Sequence, residues 1–572
     1  NGYAVVENHT ANVNVASQIN YIDITSGGIL NGTANMIVNR EVNVKNNGIF
    51  APSSGNWTIT NDFNLKGSGI SSTSSGNTSV GRTLKVLTGN TLNLNGSLIN
   101  SGDLFIDGTI NVSTSNLHLN GAGKQISGTL GTGIVEGSGS LIISNNKTIG
   151  AGFALTVTSS VSLSANTIVT NNGNISVVNI IGSDATSKWE NAANSTLTVS
   201  GTLLTTGTLD ASANPNTVIY NADGNQGIKI PNPSYYNLTL TTQSGTPTGE
   251  KTYSAAGTIT VNNSVSIINN AVFNVQSNRL SGAAGLSMTG NTELKFATYV
   301  DNFTPVPELT GTYSLTGGTI TFNRAGNQIL RGIDVTAAYN NLNIENSGTK
   351  SLFGNVSVQK DLTVKNTARL DASASNYTIK LAGNWNITST DADPFVERGG
   401  TVTFNGATAQ SISTVRPAGE TFNTLAIANN GQTVRPSAGT NLTLSGKLDF
   451  ATAGYLDIAT NGNIITMNNW ANGNVPNNGT DRFVIMNPET QQFFINGVNS
   501  GEICQFPVSI STSVNEYCRV DIANSDIANT SFALKVCNFV NLDGTCSGGT
   551  QVNAEGVNTT YDIQSASTNA NV

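Results

Sequence analysis

His9 and His118 are the only histidines in 572 residues, so histidine-dependent proton transfer would have to use one of them. His118 lies in the alternating phrase Asn116-Leu117-His118-Leu119-Asn120. There it points away from the face that Leu117 and Leu119 share, which makes it a surface histidine, and no Ser-His-Asp pattern accompanies it. The densest acidic group of the repeat region is Asp391-Ala392-Asp393 with Glu397. A glycosidase needs two carboxylates facing one cleft, about 5 to 9.5 Å apart. On a strand, Asp391 and Asp393 would share a face; before Pro394 they read better as a solvated turn. A calcium site is the minority reading, since the ion wants about six to eight oxygen ligands.

Other residue types invite the same weighing. Trp385 and Trp470 each follow an Asn. Exposed, they could stack on sugars; burial, closing a coil interior, is the favoured reading. Asp210 and Asp371 sit in a recurring phrase, Leu-Asp-Ala-Ser-Ala, at 209–213 and 370–374. A catalytic residue need not recur, so these point to a structural role. Sequons such as Asn56-Trp57-Thr58 arise readily from an Asn/Thr-rich composition and carry little weight. No residue set implies a cofactor or a metal.

All four cysteines fall between Cys504 and Cys546. Their clustering suits local disulfides and an oxidising compartment. Of the three pairings that four cysteines permit, nearest neighbours give Cys504–Cys518 and Cys537–Cys546. Net charge is −8 and charged residues are 10% of the chain. No basic stripe marks a nucleic-acid partner. No apolar run approaches the roughly 20 residues of a membrane span. Asn1-Gly2-Tyr3 begins without a signal sequence, from which we expect any such peptide to have been removed.

The elements that would position these residues are strands. Thr91-Leu92-Asn93-Leu94 and Thr109-Ile110-Asn111-Val112 alternate with period two, as half-buried strands do. Gly and Asn follow most of them and tolerate tight corners. A longer sentence is written three times. Its second copy runs Ile320-Thr321-Phe322-Asn323, then Gln328, then Tyr339-Asn340-Asn341-Leu342-Asn343-Ile344. The first has Tyr220, Gln226 and Tyr235 at the corresponding places, the third Phe404, Gln410 and Phe422; in all three the glutamine follows the first aromatic by 6 residues. Tyr235 to Tyr339 is 104 residues and Tyr339 to Phe422 is 83. The difference is about one solenoid coil, and it is placed around Phe303-Thr304-Pro305-Val306-Pro307, as an inserted loop or an extra coil.

Fixed-period self-similarity with one-sided strands predicts stacked coils that bury each other's apolar faces. The predicted fold is all-β: a right-handed parallel β-helix of about 20 coils, followed by a small β-sandwich-like domain. Residues 1–190 are N-terminal coils, 191–470 coils with the long repeats, and 471–572 a C-terminal β domain with the four cysteines. Leu342, Ile344, Val356, Val358, Leu362 and Val364 are predicted to point into one core, with asparagines laddered at the corners.

The repeat pattern, together with Trp189-Glu190-Asn191-Ala192-Ala193-Asn194-Ser195-Thr196-Leu197, resembles large secreted β-helix proteins of Bacteroidota, many of them exported by the type IX secretion system. The resemblance covers about 189–450, and Phe506-Pro507-Val508 resembles the domain that often follows such repeats. The chain departs from that group in lacking a recognisable C-terminal sorting domain. The resemblance implies an extracellular or cell-surface role such as adhesion, gliding or filament formation. We therefore expect a non-enzymatic structural or adhesive protein, with a homo-oligomer or filament and a surface polysaccharide as candidate partners. The alternative is a carbohydrate-binding or carbohydrate-cleaving β-helix enzyme.

Overall fold

Strict alternation of apolar and polar residues leaves each strand with one face to bury, and in this chain that face is covered by the next turn of the same chain. The computed structural model describes residues 2–565 apart from 114, 130–131, 300, 302, 335–336, 487–490, 514–515, 526–529, 538–539, 542–550 and 553–559. It is an all-β parallel solenoid of about 24 turns. The chain divides into two compact units: residues 1–274 with 278–287 and 309–311, and residues 312–572 with 275–277 and 288–308.

In the first unit, successive coils pair in parallel with like residues stacked. Phe63, Leu84 and Leu104 form one inward column, and Leu98, Leu117 and Leu141 another. All six are fully or almost fully buried. Asparagine columns run beside them. Asn64 Nδ2 donates to Asn43 Oδ1 at 3.1 Å, and Asn43 Nδ2 to Asp23 Oδ1 at 3.0 Å. Corners turn at asparagines such as Asn46 and Asn47, whose φ values of 46° and 62° are left-handed, where Asn is among the few tolerant residues.

The second unit has three faces per coil. One is built by Thr319–Phe322, Asn341–Ile344, Leu362–Val364 and Trp385–Ile387. A second runs through Gln328–Arg331, Ser347–Phe353 and Thr367–Asp371. A third joins Val356–Val358, Ile379–Leu381 and Thr401–Phe404. The six predicted core residues are all inward and at most 2% exposed. Leu342 stacks between Ile320 and Leu362, and Ile344 between Phe322 and Val364.

The repeated sentence is not tied to one face. Its second copy opens with Thr319–Phe322 on the face to which Gln410, the glutamine of the third copy, also belongs. The segment 303–307 is partly loop and partly coil: Val306 is buried and bridges in parallel to Leu330, returning the chain to the ladder.

The boundary expected after residue 470 does not interrupt the ladder. Ile465–Met467 pairs in parallel with Phe493–Val498, and Gly454–Asp457 with Arg482–Ile485. Val484 and Ile485 then pair in parallel with Val508 and Ser509. Antiparallel strands follow, Cys518–Ala523 on Ile503–Ser509 and Thr530–Cys537 on Phe493–Val498. They extend the solenoid's own sheets, which is why a change to more aromatic strands did not signal a separate sandwich. The Cys504–Cys518 disulfide is absent: both cysteines are free. Cys504 lies opposite Ile522 and Cys518 opposite Val508. Four residues of strand offset is roughly 14 Å at about 3.4 Å per residue, twice the reach of a disulfide's Cα atoms. The Cys537–Cys546 pair lies outside the residues whose side chains are described.

Leu342→Asp should destabilise the second unit by roughly 4 kcal/mol or more, because the carboxylate would be buried without a partner. Thr363→Asn, on the outer side of the neighbouring coil between Asn343 and Asn386, should change stability by no more than about 0.5 kcal/mol. Chemical denaturation of the two variants beside the parent chain checks both.

Candidate functional site

Asp391 and its neighbours sit on a corner between Trp385–Ile387 and Phe395–Val396, beneath the turn that follows Gln410–Thr414. Phe395 pairs with Leu370 and anchors the corner in the core. Ser389, Asp391, Val415, Arg416 and Pro417 line a pocket here of about 480 Å³. Asp391 and Arg416 thus both border a concavity of ligand size; Asp334 and Lys380, paired at 3.2 Å, border another of about 330 Å³.

The carboxylates are already engaged. Asp391 Oδ1 accepts from Arg369 Nη2 at 2.8 Å and Nε at 3.2 Å, and from the Asp393 N–H at 2.8 Å. Burial opposes its ionisation, but the Asp393 N–H and the Arg369 guanidinium outweigh it and hold the carboxyl below its usual range. Asp393 faces Arg416 at 3.6 Å. Asp371, from the recurring phrase, accepts from Arg398 Nε at 3.1 Å and from the Ser373 N–H at 2.8 Å. Asp210 makes the same local turn, accepting from the Ser212 N–H at 3.2 Å and Oγ at 2.7 Å. These aspartates tie one coil to the next or close a turn, in keeping with the structural role expected for the recurring phrase.

One titratable residue beside this corner escaped sequence reasoning. Glu420 is fully buried, and neither carboxyl oxygen has a hydrogen-bond partner. Burial pushes its pKa up to about 8, with the charge of Arg416 partly offsetting it. The signal was present in the strand alternation: Glu420 shares the inward parity of Phe422, so the repeat places a carboxyl where the core lies. Trp385 is fully buried, packed edge-on against Phe395 at 4.8 Å and Phe422 at 5.4 Å between ring centroids, and Trp470 is buried too. Neither is placed to stack on a ligand. His118 lies half-buried between buried Leu117 and Leu119, its pKa lowered by burial, and His9 is exposed on the chain's first turn.

Among the described residues, no group of three or more His, Cys, Asp or Glu side chains is arranged to hold a metal ion. No helix among them is long and apolar enough to cross a membrane. Comparison with family models, with curated proteins and with solved structures yields no match to this chain.

The buried carboxyl has a calculable signature. Its folded pKa of about 8 lies above the ordinary 4.5, so the native state holds the proton where the unfolded chain releases it. Stability from this group is therefore complete below pH 4.5 and is lost as pH rises toward 8. Glu420→Gln should remove that slope, gaining about 4 kcal/mol over the parent chain near pH 7.5 and little near pH 4. Denaturation midpoints of both proteins across this range make the comparison.

Proposed function

We propose that this chain is a non-enzymatic extracellular structural or adhesive protein. The observation that carries the reading is the commitment of the acidic side chains. Asp371, Asp391 and Asp457 each accept from an arginine of a neighbouring coil, Arg398, Arg369 and Arg435 respectively. Carboxylates held in this way staple a repetitive scaffold and are poorly placed to deliver or take a proton. The corner pocket supports the alternative, a carbohydrate-cleaving enzyme, only through Glu420. That residue is sealed from solvent, whereas a general acid must reach its substrate.

The resemblance to secreted repeat proteins of Bacteroidota and the charge-poor surface fit an extracellular setting, and export by the type IX system belongs to this proposal. The purified chain, coated on a support, should retain polysaccharide-bearing particles without releasing reducing ends or unsaturated uronates. Release of either product would replace this reading with the enzymatic one. On cells that produce it, the chain should be accessible to added protease; protection inside intact cells would remove the extracellular assignment.

Self-association is a separate part of the proposal. Tyr3–Glu7 pairs in parallel with Ser17–Thr25, and Tyr3 and Val5 on it are exposed. Exposed apolar side chains of this kind can pack against a second copy, and a low density of surface charge does little to oppose close approach. Sedimentation should show species growing with concentration, reduced by Val5→Lys. A monomer at every concentration argues against filament formation and leaves adhesion to a solitary chain.

A further inference from the structure

A second concavity, lined in part by Gln328, differs in character from the acidic corner. It encloses about 470 Å³ and is walled by Tyr299, Phe303, Phe353 and Tyr377, with Ser351 and Ser375 between the rings. Four consecutive passes of the chain contribute to it. Val306, just after Phe303, bridges to Leu330; Leu330 pairs with Leu352; and Ser351 pairs with Asp371, shortly before Tyr377.

Three of the rings are presented to solvent: Phe303 is 79% exposed, Phe353 46% and Tyr299 39%. The aromatics at the recurring positions of the long repeat, Tyr220, Tyr235, Tyr339, Phe404 and Phe422, are all inward, while Phe105, Tyr236 and Tyr313 are only part-exposed. Outward rings gathered on one groove therefore break the rule of the fold, and exposed apolar clusters of this kind mark binding surfaces. The rings are also held in place. Asp301 accepts from the N–H groups of Phe303 and Thr304, at 2.7 and 2.6 Å, which fixes the loop that carries Phe303. Gln328 Nε2 holds the Phe296 and Thr298 carbonyls that lead into Tyr299. The Arg324 guanidinium lies 4.7 Å from the Tyr299 ring centroid, against one of its faces.

We infer that this groove binds a neutral polysaccharide chain, with Phe303, Phe353 and Tyr377 stacking on sugar rings. None of the described lining residues is charged, and the two charges beside them, Arg324 against Tyr299 and Asp301 under Phe303, are of opposite sign. That disfavours an anionic ligand, and a nucleic acid would need a cationic track beside the stacking rings. An apolar peptide helix would want a continuous greasy trough; here hydroxyls and amides from Asn327, Ser351 and Ser375 interrupt the aromatics. A pyranose has the matching make-up, an apolar face for the ring and hydroxyl edges for the Ser and Asn groups. Successive passes advance by about 4.8 Å, close to the length of one sugar in an extended chain, so neighbouring coils meet neighbouring residues of the polymer.

This inference rests on the adhesive reading and names where adhesion occurs. Its test is affinity electrophoresis of the full chain in gels containing mixed-linkage β-glucan, galactomannan, xylan or polygalacturonate. At least one of the three neutral polymers should retard the parent chain, and polygalacturonate should not. Phe303→Ala with Phe353→Ala should weaken that retardation at least tenfold while leaving the thermal midpoint unchanged, since both rings are exposed. Equal retardation of the double variant, no retardation by any neutral polymer, or retardation by polygalacturonate alone would overturn the inference. The outcomes separate it from the broader proposal. Particle retention that survives the double substitution removes the groove and leaves adhesion standing. Neutral-polymer binding accompanied by cleavage removes the non-enzymatic reading and leaves the groove.

Discussion

The structure depends on finding hydrogen-bond donors for backbone carbonyls at coil corners, where the ladder of strands is interrupted. A buried carbonyl left without a donor is costly, and a solenoid repeats the problem at every turn. The glutamine of the long repeat is the solution. Gln226 Nε2 donates to the carbonyls of Val199 and Gly201 at 2.8 and 2.9 Å, and Gln410 Nε2 to those of Leu381 and Gly383 at 2.9 and 2.6 Å. In these two copies Oε1 accepts an N–H from four residues earlier, Ala222 or Gly406, a bond that Gln328 of the second copy does not make. In the next coil the register partner of Gln226 is Lys251 and that of Gln328 is Lys350. These lysines donate back to the same corners, Lys251 to the Ala222 carbonyl and Lys350 to those of Arg324 and Gly326. Burial pulls both ammonium groups down to about 8.

The corner clamp explains why the repeat can change face. It is a local device: an inward aromatic, a turn, then a glutamine reaching to the preceding coil. Nothing in it refers to which of the three faces it closes. The second aromatic adds a tie where it is a tyrosine. Tyr235 Oη donates to the Lys229 carbonyl at 2.5 Å and Tyr339 Oη to the Arg331 carbonyl at 2.6 Å. The third copy has Phe422 and no such tie, and its glutamine is followed by Val434 in the next coil, without the lysine. The carboxyl of Glu420 lies in this third copy, near Trp385 and Arg416.

Much of the solenoid was legible because period-two alternation has one consequence when coils stack: Leu342, Val356 and Leu362 must face inward together. The glutamine's constant distance from its aromatic was also visible, but its purpose was not. A hydrogen bond to a carbonyl some 27 residues earlier is a property of coil length, and coil length varies along the chain. The C-terminal strands were misread for a related reason. Aromatic enrichment at Phe483, Phe493 and Phe506 looks like a new core, yet these rings are buried in the continuing sheets. The Cys504–Cys518 pairing failed on register, since nearness in sequence says nothing of offset along a hairpin.

The same logic separates scaffold from surface. Inward positions are constrained by the residue stacked above and below, and corner positions by the carbonyls they must satisfy. Outward positions meet only solvent and their column neighbours, which Asn, Thr and Ser satisfy through side-chain ladders. A binding function can therefore be added to this fold without disturbing it, by changing outward residues of adjacent coils or lengthening a corner. Tyr299 and the segment 303–306 do both: they supply outward rings, then rejoin the ladder through a buried valine. Their position beside Phe353 and Tyr377 follows from the coil repeat, since residues one coil apart on one face are neighbours. A groove across coils is thus the natural form for a site on a solenoid, and a linear polymer is the ligand whose repeat it can match.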